Sequence, residues 1–220
     1  MKTTPTCFLL LTMFTVSALA QARKLTLSAG KTDADGFPLT GASFCLESPQ
    51  TLCYQMPDLK NGDVTYQFGL EPHAEVLPQA KAGPWFLFSA TFSGGGSGTL
   101  TRYTILCTEV SHIVNLLPDN VALTNASEHA IWTNIELSPY PILVTADFDW
   151  DFDAGETHFA RHHYFVNAWR FDPKKNLYEK AFAYRTAKKY DSLDDADTIN
   201  VIDPERPEIL RRLAALNSNP

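Results

Sequence analysis

Short apolar runs separated by polar turns dominate this chain, and their period is that of β-strands. Leu25 and Leu27 alternate with polar neighbours, as expected where successive side chains point to opposite faces. Residues 41–46 and 51–55 read as a hairpin turned at Ser48-Pro49-Gln50, and residues 64–70 as a further strand. Residues 85–92 and 99–107 form a stronger hairpin signal, because two β-prone runs flank a glycine-rich tip. Residues 109–117, 129–137 and 142–150 are further strands. Residues 157–171 and 177–190 pair around Asp172-Pro173-Lys174-Lys175-Asn176, where Pro suits the start of a turn and Asn its left-handed end. Residues 71–84 hold three prolines without a period and read as a long connection.

Helical spacing occurs convincingly once. Ile209, Leu210, Leu213 and Leu216 share one helical face, with Pro207 in the first turn and Asn217 placed to cap the end. Strands joined by short turns and closed by one helix predict an all-β fold, mainly an antiparallel sandwich or open barrel, with a C-terminal α-helix.

The amino terminus has a different pattern. Lys2 precedes an apolar core at residues 8–16, and Ala18-Leu19-Ala20 has the small-residue spacing of a cleavage site. A signal peptide is expected at residues 1–20, with Ala22 as the second candidate position. Residues 21–220 then form a single β-rich domain with a possible sub-boundary at 71–84. The apolar run falls short of the roughly 20 residues that span a bilayer, and no later segment is longer. The expectation is a secreted protein, extracellular or periplasmic, without a transmembrane segment.

Export changes the reading of the cysteines. An oxidising compartment makes a Cys45–Cys53 disulfide across the first hairpin plausible chemistry. Cys107 ends an apolar run and reads as a buried thiol. The content of 45% hydrophobic and 20% charged residues fits a packed domain rather than a disordered one. A formal charge of −7 lacks the basic footprint that nucleic acid requires. A protein or glycan partner remains, or a cation.

The densest chemistry lies at Asp147-Phe148-Asp149-Trp150-Asp151-Phe152-Asp153-Ala154-Gly155-Glu156. Read as a strand, its three aromatics bury one face and its four aspartates line the other. Neighbouring carboxylates on that face lie about 6.6–6.8 Å apart. Full ionisation costs each such pair about 0.6 kcal/mol in water. Cross-strand cations relieve this repulsion. If residues 153–157 close a hairpin, Asp149 faces Arg161 and Asp147 faces His163. A loop one residue shorter sets Asp151 opposite His158 instead.

The run faintly resembles the Asp-x-Asp-x-Asp-Gly calcium loops of EF-hands and β-propeller repeats. It departs from them at Ala154, which stands where the turn glycine belongs, and at Ala160, where an EF-hand has its closing glutamate. Asp149, Asp151, Asp153 and Glu156 are the candidate ligands, and Ca2+ is the candidate cofactor. His158, His162 and His163 with these acids are the alternative constellation, that of a metal-assisted hydrolase. On a strand, residues four apart lie about 13 Å from each other, too far for His158 and His162 to share one ion. The leading expectation is a non-catalytic binding or envelope-associated module. A metal-assisted hydrolase or calcium-stabilised module centred on residues 147–163 is the alternative.

Overall fold

The computed structural model describes residues 24–47, 50–78, 84–94, 98–109, 111–133, 135–153, 155–157, 160–192 and 199–218. The expected signal peptide and His158 lie outside the described residues. Within them the chain is an all-β, antiparallel assembly with one C-terminal helix.

A small sheet comes first, made of β1 (Lys24–Ser28), β2 (Ser43–Glu47) and β3 (Leu52–Gln55) in that order. Cys45 pairs directly with Cys53 across β2 and β3, and the two form a disulfide. A ribbon of β4 (Leu59–Asn61) and β5 (Val64–Tyr66) follows. The second sheet contains β6 (Leu70–Leu77), β7 (Trp85–Ser93), β8 (Thr99–Thr108), β9 (Ile113–Asn115) and β10 (Val121–Thr124). Its order is β10-β8-β7-β6, with β9 also on β8. The third sheet runs β11 (Ser127–Trp132), β12 (Ile142–Phe148), β13 (Tyr164–Asp172) and β14 (Leu177–Arg185) in sequence order. Helix α1 (Ile202–Ser218) ends the fold.

These elements stack as four layers with three cores between them. Phe86, Phe88 and Ala90 of β7 pack on Phe44 and Leu46 of the small sheet. From the opposite face of the same strand, Trp85 and Leu87 join Leu143, Trp169 and Phe171 of the third sheet. Ile142, Val144 and Ala146 of β12 then meet Ile209 and Leu213 of α1. Both faces of β7 are therefore buried, which explains why Trp85-Phe86-Leu87-Phe88 lacks alternation. Fully burying each such side chain stabilises the fold by about 1.5–3 kcal/mol.

Several element bounds differ from the sequence-based expectation. Residues 71–84 contain most of β6, where Glu71 takes a positive φ and the register slips between Leu70 and His73. Pro72 is tolerated because β6 is an edge strand, and the irregularity removed the period. The segment 109–117 contributes only β9, and 129–137 is replaced by β11. The last hairpin has the expected turn, with Asn176 at φ 54°, but β13 begins only at Tyr164. The helix begins at Ile202, a turn earlier than Pro207 suggested, with Pro207 inside it. Glu128 Oε2 accepts the amide protons of Val201 at 2.7 Å and Ile202 at 2.9 Å. This carboxylate on β11 satisfies the orphan donors of the helix start and complements its positive end. Close backbone packing also governs Gly30, whose amide donates to Gly69 O at 2.7 Å and where a Cβ would overlap Thr40 O.

Candidate functional site

The acidic run does not continue as a strand. β12 ends at Phe148, and the Asp149 amide makes the last bond, 3.0 Å to His163 O. Asp149 Oδ1 then accepts from the Asp151 amide at 3.0 Å, turning the chain away from the sheet. A second small turn follows at Gly155 (φ 88°), where the Glu156 amide donates to Asp153 O and the Asp153 amide to Glu156 Oε2. The chain re-enters at His162, which exchanges two backbone bonds with Tyr190.

The aromatics fold around that re-entry. Phe148 is buried as expected, whereas Trp150 is 43% exposed and Phe152 is half-buried. The His162 ring lies 4.5 Å from the Phe148 ring and 4.6 Å from the Phe152 ring and is only 1% exposed. Its Nε2 donates to Thr157 O at 2.9 Å, since a carbonyl can only accept. Its Nδ1 is 3.5 Å from Glu156.

Opposite charges reach the run from a segment beyond β13. Arg185 Nε lies 2.5 Å from Asp149 Oδ2, and its Nη2 lies 3.2 Å from Asp153 Oδ1. Lys189 Nζ is 2.8 Å from Asp153 and also pairs with Glu156. His163 donates Nδ1–H to Thr186 O at 2.7 Å, and its Nε2 is 3.6 Å from Asp153. Lys189 holds the carboxyls of Asp153 and Glu156 below the usual carboxylate range. The same contacts raise Lys189, and the Asp149 contact raises Arg185. Asp147 stands apart: Oδ1 accepts from the Thr124 amide and hydroxyl at 3.1 and 2.7 Å, while burial pushes its carboxyl up.

The expected register is thus displaced by two residues. Asp149 lies opposite His163, and Asp147 pairs with Phe165. Arg161 turns away to Asp191 at 2.9 Å. Of the candidate ligands, Asp149, Asp153 and Glu156 come together around Arg185 and Lys189, whereas Asp151 is exposed beside them. Among the described residues, no set of three His, Cys, Asp or Glu side chains is arranged to hold a metal ion. Arg185 lies 36 residues beyond Asp149 and Lys189 lies 33 beyond Glu156, so nothing local in the sequence tied either cation to the run.

A second region was not singled out from the sequence. A groove of about 590 Å³ lies between the loop at Ser138–Tyr140, the end of α1 and β14. Arg170 lines it and donates to Asn217 Oδ1 at 2.6 Å, while Asn217 Nδ2 donates to Leu137 O at 3.1 Å. Asn217 therefore fastens the helix end to the sheet. Leu216, expected on the buried face, is 39% exposed at the groove.

Fold and site together define an antiparallel β-sandwich closed by a C-terminal helix, with an ion-paired loop at one end and a groove at an edge strand. No protein-family model, curated protein or solved structure matches the chain. No helix among the described residues is long and apolar enough to cross a membrane.

Proposed function

We propose that this chain is an exported, non-catalytic binding module that recognises a protein or glycan partner. The observation that supports this reading is the state of the acidic cluster. Asp149, Asp153 and Glu156 each already have a cationic partner. A carboxylate engaged in this way would have to give up an arginine or lysine before taking a metal ion or acting as a base. Such a cluster suits a latch that fixes a loop in one conformation. The latch presents Trp150 and the Asp151 carboxylate outward from the sheet end. Rigid presentation lowers the ordering cost of binding.

The proposal is tested by immobilising the mature protein and passing envelope polymers and envelope proteins over it. Reproducible retention of a partner that elutes with excess free protein is the expected result. Consistent absence of any retained partner would count against the reading.

A further inference from the structure

We propose that β14 is a docking edge for an extended, acidic peptide segment of a partner protein, which adds to the third sheet as a fifth strand. This inference rests on the binding-module reading and names its site and the chemistry of its ligand. The first support is topology. β14 is nine residues long and pairs with β13 on one side only. Among the described residues, its one backbone bond outside that ladder is Tyr178 N–H to Leu116 O, at 2.6 Å. Among the described residues no strand pairs with the outer edge from Glu179 to Arg185, and the backbone of a new strand would supply partners there.

The second support is the pair of cavities beside this edge. The 590 Å³ groove is lined on the helix side by Glu179 and Ala181, with Tyr140 and Leu216. A second cavity of about 380 Å³ is lined by Tyr178, Glu179 and Lys180, with Pro118 and Asp119. Both cavities are lined by Glu179 and Lys180, the larger adding Ala181 and the smaller Tyr178, so they adjoin along one short stretch of β14. A docked strand points successive side chains to alternate faces. Adjoining cavities along an unpaired edge suit a single extended ligand.

Charge selects the ligand's composition. Arg170, Lys174 and Lys180 line the larger groove. Among the described residues, none of the three has a carboxylate within ion-pair distance. Glu179 is engaged by Lys175 at 2.6 Å, and Asp172 Oδ1 accepts the Lys174 amide proton at 2.8 Å. The groove sets three cationic side chains against the carboxylates of Asp172 and Glu179, and this small positive excess on a chain of formal charge −7 favours an acidic segment. Lysines and bulges on edge strands also deter indiscriminate pairing, and β14 has both, with a register shift opposite Ala168 and Trp169. The same Lys180 that deters neutral strands by the cost of burying its charge, and basic ones by repulsion, would attract an acidic one.

The test titrates the full mature chain with a labelled eight-residue peptide of alternating Glu and Val, read by fluorescence anisotropy. Two controls are its Glu→Lys counterpart and a version N-methylated at every second residue. Saturable binding of the first peptide alone is expected, weakened about tenfold by Lys180→Glu. Lys174→Glu, on the exposed turn, repeats the test without disturbing Lys180, whose Nζ lies 5.4 Å from the Trp169 ring centroid, and Lys31→Glu serves as a remote control. Equal binding of the Lys peptide, equal binding of the N-methylated peptide, or no effect of either groove substitution would overturn the docking edge. Retention of the same envelope partner by wild type and Lys180→Glu would also overturn it while leaving the binding-module reading intact. Loss of both retention and peptide binding in the wild type would remove both.

Discussion

The β7–β8 hairpin and the loop from Asp149 to His163 both looked like strand pairs, and they are held by opposite physics. β7 has neighbours above and below, and its side chains on both faces lie in cores. The acidic loop leaves the sheet after Phe148 and is held by Arg185, Lys189 and a histidine between two phenyl rings. Burial rewards continuing a sheet. A row of carboxylates favours a bend that lets each one find its own cation.

If that contrast is right, core damage should outweigh any damage to the loop. Phe88→Ala removes a ring from between Phe44 and Tyr54. It should cost about 3–5 kcal/mol, or roughly 10 °C in melting temperature for a chain of this size. A fall of only a few degrees would mean that the doubly buried strand is not what holds the layers together. Replacing both Cys45 and Cys53 by Ser comes next. The short loop they close should contribute about 2–3 kcal/mol, measured by denaturant unfolding against the oxidised wild type.

Asp149→Ala should produce a smaller effect, confined to the loop. Arg185 loses its nearest carboxylate, so proteolytic nicking between residues 150 and 157 should accelerate while global melting falls by less than in Phe88→Ala. A global loss as large as the Phe88 variant's would place the loop among the determinants of the fold. The smallest effect concerns pH. Asp153 and Glu156 titrate below their usual range, so their stabilisation is present above that range and lost as pH falls through their folded values. Lys189 titrates above its usual range, so its contribution holds below the ordinary ammonium value and is lost as pH rises through the folded one. Nicking of the loop should therefore be slowest between these limits, and Lys189→Met should flatten the profile.

The contrast also explains what could be read from the residues alone. Glycine-rich and Pro-Asn turns marked both long hairpins, and the left-handed Asn176 fits the turn chemistry expected of it. The paired cysteines and the apolar face of α1 were equally local signals. The four-layer order depends on which faces meet and has no local signature. The partners of Asp149 escaped for a related reason. A hairpin register follows from loop length, and this loop is lengthened by His162, which bonds to Tyr190 from a segment beyond β14. Arg161 was the nearest cation in sequence, but the two-residue displacement sends it to Asp191. The edge position of β14 follows from the order of strands in the third sheet, which no local pattern encodes.

The most direct measurement takes the mature protein purified without chelator and compares its melting temperature in buffer, in EDTA and in excess calcium. Carboxylates already engaged by Arg185 and Lys189 predict one melting temperature in all three conditions and no metal retained through purification. A calcium site held at a hundredfold its dissociation constant would add about 2.7 kcal/mol, a shift of several degrees. A rise of that size with calcium, reversed by EDTA, would contradict the ion-paired latch and return the acidic run to the role of a metal centre.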